Sequence, residues 1–256
     1  MNVFVFDIET IPDLDGGRRV YGLEGLSEKD TATAMENIRR NESGSEFQRL
    51  PLQRIVAISA VYRSGSKFSV WSLGDEQSSE KELIERFYNG IEKNTPTLVS
   101  WNGGGFDLPV LHYRAMLHGV TAARYWDQGE NDREFKWNNY LSRYHQRHTD
   151  LMDLLAMYQA RATAPLDVVA SLLGFPGKMG MHGSKVFEAW QAGNIKGIRD
   201  YCETDVLNTY LVFLRFELMR GNLSREAHDA ECQLVRNHLK ASGQPHLVEF
   251  EKNWTA

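Results

Sequence analysis

Residues 2–8, Asn-Val-Phe-Val-Phe-Asp-Ile, are apolar at odd and even positions alike, so a strand here has two faces to bury. The middle of a sheet covered on both sides meets that demand, with helices as the cover. The segments that follow fit such a sheet. Residues 54–63 read as a second strand, Ser64-Gly65 as a hairpin turn, and 67–73 as an alternating third strand. A helix is expected from about Glu80 to Ile91, with Ser78 and Ser79 as caps, then a short strand Thr97–Ser100 and a helix Asp107–His118. A weaker strand ends near Asp150 and runs into a helix, Leu151–Tyr158; further helices are expected over 166–173, 184–192, 195–220 and 224–241. Strands first, then strand–helix alternation, make this an α/β chain whose sheet has an antiparallel member.

Two stretches interrupt that order. Residues 13–50 are polar and charged, with a helix expected around 28–41, and they separate the first two strands. Residues 124–147 carry Tyr125, Trp126, Phe135, Trp137, Tyr140 and Tyr144 among Arg124, Arg133, Lys136, Arg143 and Arg147. Rings interleaved with basic residues suit stacking on unpaired bases beside phosphate. The same rings would equally serve to anchor a long loop to the core. With a helical extension over about 222–256, the chain reads as a single domain, 1–256, carrying both insertions.

Composition narrows the setting. No run of 18 apolar residues occurs, so neither a membrane span nor a membrane partner is expected. The first residues lack a basic n-region, and Asp7 and Glu9 cut the apolar stretch, unlike a signal peptide. Cys202 and Cys232 make neither a disulfide framework nor a zinc pattern, and a cytoplasmic location is the expectation. Lys and Arg number 29 against 34 Asp and Glu, a net charge of -5. Proteins that coat long duplexes through their phosphates carry a basic surplus. This chain would have to handle nucleic acid locally, in a groove or with the help of metal ions.

The acids stand where acids are costly. Asp7 and Glu9 end an otherwise apolar strand, two apart and therefore on one face. Asp107 opens a helix just after Ser100-Trp-Asn-Gly-Gly-Gly-Phe106, and Asp205 lies in helical Tyr201-Cys-Glu-Thr-Asp205. Carboxylates in apolar surroundings either take a proton or share a cation, and crowded hard oxygens suit Mg²⁺ or Mn²⁺. Taken singly, Asp107 would also serve as a helix cap and Asp205 as a solvated helix residue. His112, His118, His145, His148 and His182 show no zinc spacing, and His148 reads as structural. Gly103-Gly104-Gly105 permits close backbone approach, but without G-K-[ST] it is no P-loop.

Taken in order, Phe6-Asp7-Ile8-Glu9-Thr10, Trp101-Asn102-Gly103-Gly104-Gly105-Phe106-Asp107 and Tyr201-Cys-Glu-Thr-Asp205 form a pattern. It resembles the three motifs of the DEDD (DnaQ-like) 3′–5′ exonucleases, most nearly the proofreading exonuclease domain of family B DNA polymerases. His148-Thr-Asp150-Leu and Leu166-Asp-Val-Val-Ala-Ser-Leu-Leu-Gly174 fit the likeness, which runs from Asn2 to about Phe213 and covers both insertions poorly. The resemblance implies an RNase H-like fold: a five-stranded mixed sheet flanked by helices, with the acids at one end. Too little chain follows for a polymerase palm or fingers, so a stand-alone exonuclease is expected.

The third motif places Asp200 where one branch of the family has His, and Tyr201 where the other has Tyr, which resembles the DEDDy branch. Tyr201 and Asp205 stand one helical turn apart and so share a face. A phenol with a pKa near 10 is a poor general base, so orienting the attacking water is the expected role of Tyr201. The resemblance implies catalytic Asp7, Glu9, Asp107, Tyr201 and Asp205, and two divalent cations, Mg²⁺ or Mn²⁺. One cation would be held by Asp7, Glu9 and Asp205, the other chiefly by Asp7, with Asp107 acting through water. Glu9 would stand near the 3′-hydroxyl, and Thr10, Ile11, Asn102 and Phe106 would border the last base. Lys178 and Lys185 are candidates for phosphate contact, or else solvated loop residues. The expected partner is a single-stranded 3′ end, of DNA in the first place. Trimming of RNA, or a binding module that keeps the fold without catalysis, are the alternatives.

Overall fold

A computed structural model describes residues 1–255. Its first strand, β1 (Asn2–Pro12), is buried on both faces, with Val3 and Val5 on one and Phe4, Phe6 and Ile8 on the other. The polar segment after it folds as two helices, α1 (Leu14–Tyr21) and α2 (Glu28–Ser43). Asp13 and Ser27 cap them, accepting from the backbone N–H of Gly16 and Asp30. The sequence reading expects a helix only around 28–41; α1 is additional. It contains Gly16-Gly17, poor helix formers, and it holds because Met35 of α2 packs where a Cβ on Gly17 would lie, 2.2 Å away. The chain returns through β2 (Gln53–Ser64), antiparallel to β1, and Asp13 N donates to Leu52 O at 2.9 Å, so the two ends of the insertion meet. Glu9 pairs with Ala57 but Thr10 with Ile55, which leaves Val56 as the extra residue of a bulge beside the acids.

β3 (Lys67–Ser72) follows across the expected hairpin, and α3 (Glu80–Asn94) starts at the Ser79 cap. β4 (Thr97–Ser100) lies parallel to β1 on its other side, with Val3 opposite Thr97 and Val5 opposite Val99. After α4 (Asp107–His118) and α5 (Ala123–Trp126), β5 (His148–Asp150) adds parallel to β4. The sheet order is β3-β2-β1-β4-β5. Helix α6 (Leu151–Leu155) is shorter than the expected 151–158, because Met157 and Tyr158 turn left-handed, with φ of 53° and 60°.

The rest is helical: α7 (Leu166–Leu172), α8 (Val186–Gln191), α9 (Ile195–Met219), α10 (Arg225–Ala241) and α11 (Pro245–Asn253). α9 covers one sheet face, where Val206, Leu207, Tyr210 and Leu211 meet Val3, Val5 and Val61. Val235, Leu239, Leu247 and Phe250 bring α10 and α11 into the same cluster, so the C-terminal extension is part of the core. On the other face Leu83, Ile84 and Phe87 of α3, with Leu108 and Leu111 of α4, pack on Phe4, Phe6 and Ile8. This is the α/β, RNase H-like arrangement that the resemblance implies. Among the described residues, no helix is long and apolar enough to cross a membrane.

Two polar devices fix how the pieces sit. Arg114 of α4 is 3% exposed; it donates to both oxygens of Glu80, at 2.7 and 2.6 Å, and to Asp13 at 2.5 Å. Glu80 Oε1 also accepts from Ile55 N at 2.7 Å, so α3, α4, β2 and the α1 cap share one buried junction. Breaking a buried pair of this kind costs about 3–5 kcal/mol. In the 124–147 insertion the rings divide. Tyr125, Phe135 and Tyr140 are buried, Tyr125 is stacked on Tyr140, and the Tyr140 hydroxyl donates to Pro96 O at 2.7 Å. Arg124 and Arg147 each lie 4.3 Å from the Phe135 ring. These rings anchor the insertion just before β4, level with Val3 and about 13 Å along β1 from Asp7. Trp126, Trp137 and Tyr144 remain exposed.

Candidate active site

Strand parity puts Asp7 and Glu9 on the α9 side of β1, continuing the face of Val3 and Val5. α9 lies against that face and turns Tyr201, Cys202 and Asp205 toward it. One carboxylate oxygen each of Asp7 and Glu9 and the sulfur of Cys202 lie within 4.8 Å of one another. The buried Cys202 thiol donates to Asp7 O and Oδ2 at 3.5 Å. Burial first, then the neighbouring Asp7 and Glu9 charges, push that thiol well above its usual range, so it stays protonated and props Asp7 rather than acting as a soft ligand. The sequence reading gives Cys202 no role; its place between Tyr201 and Asp205 on the inner face of the helix is the signal for it.

Asp107 arrives from the other side. β4 ends its pairing with β1 at Val99, and beyond it the free N–H of Ile8 donates to Asp107 Oδ1 at 3.1 Å. The loop that delivers Asp107 is tied down by Asp150. Its carboxylate accepts from Asn102 N (2.9 Å) and Gly104 N (2.8 Å) while capping α6 through Met152 N and Asp153 N. Asn102 is left-handed, with φ of 64°. The loop glycines are needed for space: a Cβ on Gly103 would lie 2.2 Å from Ser100 Oγ, and one on Gly105 2.4 Å from Asn102 Oδ1. Half-buried His148, pushed down to about 4 by desolvation, shares a hydrogen bond of 2.8 Å with Ser100, which fits the structural role expected of it.

The four carboxyls all resist ionisation. Burial, then Asp107, Glu9 and Asp205, hold Asp7 well above the carboxylate range, and burial followed by Asp205 and Asp107 does the same to Glu9. Burial raises Asp107 to about 7 and Asp205 to about 6. The Tyr201 hydroxyl lies beside Asp205, and burial, then that negative charge, push the phenol far up, away from any role as a base. Lys178 offsets Glu9 and Asp205 electrostatically, whereas Lys185 is exposed and paired with Glu188 at 2.7 Å. Oxygen donors this crowded, short of positive charge and reluctant to ionise, fit a hard divalent cation.

The pocket residues divide in the same way. A cleft of ≈ 890 Å³ is lined by Glu9, Thr10, Asn102 and Phe106 on the side of the acids. Its opposite wall comes from the 13–50 insertion, through Glu36, Arg40 and residues 44–48, a contribution the sequence reading does not contain. Ile11 is the exception among the expected pocket residues. Its side chain is 2% exposed and packs with Ala57, Val186, Ile198 and Tyr201, so only its backbone is left to meet a substrate.

Comparison with known proteins agrees with this geometry. A family model described as a predicted 3′–5′ exonuclease related to the exonuclease domain of PolB matches residues 45–254. The chain belongs to that family. The match takes in Asp107, Tyr201 and Asp205, while Asp7 and Glu9 lie before it. Among curated proteins the chain is similar to a DNA polymerase of Pyrococcus glycovorans, 28% identical over 71% of this chain and 24% of the polymerase. It is also similar to a DNA polymerase of Pyrococcus horikoshii and to DNA polymerase 1 of Pyrococcus abyssi. Each is 25% identical over 88% of this chain, and the match spans 18% and 30% of those proteins. The chain therefore corresponds to less than a third of the length of these relatives.

Proposed function

We propose that this chain is a metal-dependent 3′–5′ exonuclease of the DEDDy type, removing nucleoside monophosphates from unpaired 3′ ends of DNA. The observation that carries the reading is that Asp7 and Glu9 present oxygens within 4.8 Å of one another while Asp107 and Asp205, from two further elements, act electrostatically on both, with every carboxyl pushed upward and Tyr201 beside Asp205. Two divalent cations, Mg²⁺ or Mn²⁺, held by these four acids, would supply acidity to the attacking water and charge to the leaving 3′-oxygen. The protein's own part is placement. Tyr201, protonated throughout, orients the water through its hydroxyl. Glu9 faces the terminal 3′-hydroxyl, and Thr10, Asn102 and Phe106 border the last nucleotide, with Ile11 offering backbone alone. Lys178 meets phosphate as the substrate enters. Water attacks phosphorus, the bond to the 3′-oxygen breaks, and that oxygen takes the proton.

DNA is favoured because the similar proteins are named DNA polymerases. A pure binding module is disfavoured, since four crowded acids raise the energy of the fold and binding alone has no use for them. The test is direct. Purified protein is incubated with 5′-labelled single strands of DNA or RNA, with Mn²⁺ or with EDTA. We expect a ladder shortening from the 3′ end of DNA, absent with EDTA and absent for Asp7→Ala. Faster laddering of RNA would transfer the reading to an exoribonuclease. Binding of strands without cleavage would leave the binding module.

A further inference from the structure

Phe47 is a large ring left in water on a backbone that is held still. It belongs to the 13–50 insertion, is 55% exposed, and lines the cleft that Glu9 and Thr10 line from the other side. Its ring centroid lies 5.6 Å from that of Phe106, with the planes 49° apart. The chain on either side is tied down. Arg39 Nε donates to Phe47 O (3.1 Å), Phe47 N donates to Ser45 Oγ (3.2 Å), and Gln53 Nε2 donates to Gln48 O (3.0 Å). Gln53 Oε1 in turn accepts from Thr10 Oγ1 at 3.0 Å, which links the insertion to the strand that carries Glu9. Gln48 and Gln53 are almost wholly buried. A ring that served only to anchor the insertion would be covered, as Phe135 and Tyr140 are in the other insertion. Here the anchoring falls to Gln48, and the ring is left for something that enters the cleft.

We propose that Phe47 is a specificity-determining residue: with Phe106 it forms one aromatic wall against which the unpaired 3′-terminal base stacks. The inference rests on the exonuclease reading above and deepens it, since the insertion then supplies half of the base pocket. At 5.6 Å the two rings touch each other and leave no room for a base between them, so the base lies on the wall rather than inside it. Stacking reads the presence of a π-face and not its identity, so every base is accepted and a missing one is not.

A four-way comparison tests this. Wild type and Phe47→Ala are each given, with Mn²⁺, a single strand ending in an ordinary nucleotide and one ending in an abasic nucleotide. On the ordinary strand Phe47→Ala should raise KM about 5- to 150-fold, the equivalent of one lost stack, with kcat little changed. On the abasic strand the two proteins should have the same KM. Phe47→Trp should restore the preference for a base, and 2-aminopurine at the 3′ terminus, bound with Ca²⁺, should be quenched by wild type and Phe47→Trp but not by Phe47→Ala. Equal losses on base removal in wild type and Phe47→Ala would overturn the proposal, even with cleavage intact. An earlier melt of Phe47→Ala with equal losses on both strands would make the ring an anchor and overturn it too. Wild type that degrades no strand at all would take the exonuclease reading down first, and this one with it.

Discussion

Replacing Asp7 by asparagine should make the metal-free protein more stable while destroying its activity. Asp7 and Glu9 present oxygens within 4.8 Å of one another, and Asp107 and Asp205 add to the same negative field. Two unit charges at that distance repel by about 3 kcal/mol at an effective dielectric of about 20. Part of this is already relieved by protonation, because burial and mutual repulsion raise all four carboxyls. The relief is smallest in mild alkali, so the comparison belongs at about pH 8, well above the values of about 7 and about 6 for Asp107 and Asp205. The amide keeps an oxygen for the Cys202 thiol, so little is lost by the exchange. A net gain of about 1–3 kcal/mol corresponds to a melting midpoint higher by about 2–12 °C for a chain of this size. With millimolar Mn²⁺ wild type should gain by binding and Asp7→Asn should gain little, so the gap closes or reverses. Thermal melts of both proteins in EDTA and in Mn²⁺ supply the four midpoints. An Asp7→Asn midpoint at or below wild type in EDTA would refute the crowding on which the metal site rests.

Other outcomes follow from the same geometry. Carboxyls whose folded pKa exceeds the unfolded value make the native state hold more protons than the unfolded one, so metal-free stability should fall as pH rises from about 4 through about 7. Urea unfolding across that range in EDTA checks the slope, and a flat or rising profile would contradict it. Tyr201→Phe keeps the ring in place but loses the hydroxyl against Asp205; cleavage should drop about 10²- to 10⁴-fold with the melting midpoint nearly unchanged. Wild-type rates in that variant would remove Tyr201 from the chemistry. In the aromatic insertion, Phe135→Ala should cost about 3–5 kcal/mol of stability, because the ring is buried beneath Arg124 and Arg147. Trp137→Ala, at an exposed position, should leave the midpoint alone, and a weaker affinity for long strands with dinucleotide cleavage intact would mark it as a stacking platform.

The frame of the fold is legible because its hydrophobic pattern is unambiguous. The two-faced run of β1 and the helix Asp107–His118 follow from periodicity and stand where expected, and the β2–β3 hairpin follows from turn chemistry, with its turn at Gly65-Ser66, one residue beyond the expected Ser64-Gly65. The acids are legible for a related reason: Asp7 and Glu9 interrupt an apolar strand, and few arrangements tolerate that. What is hidden depends on contacts between distant segments. α1 contradicts the propensity of Gly16-Gly17 and exists because Met35 needs the space. α11 (Pro245–Asn253) lies within the helical extension expected over about 222–256, but its separate start at Pro245 and the docking of Leu247 and Phe250 on the core show only in the fold. Asp150 looks like one more strand-end acid, yet it holds the loop of Asp107 through two backbone donors 46 and 48 residues away. Ile11 adjoins the motif in sequence and shares the face of Asp7 and Glu9, but Val186 of α8 and Ile198 and Tyr201 of α9 cover its side chain. Phe47 has no neighbour in sequence that signals its place in the cleft; only the fold sets it beside Phe106.

The single hydrogen bond from Asp13 N to Leu52 O, where the first insertion leaves and rejoins the sheet, makes that stretch a cassette. Its two ends are pinned side by side, with Asp13 held by Arg114 from outside the insertion, so the sheet has no stake in how long the intervening chain is. Closing a flexible loop costs only about 0.6 kcal/mol more for each doubling of its length. Replacing residues 14–51 by a shorter or unrelated segment should therefore leave Asp7, Glu9, Asp107 and Asp205 assembled, while removing the wall that carries Arg40 and Phe47. An engineer could graft different cassettes onto one unchanged reactive centre and alter which chain ends are accepted without retuning the chemistry.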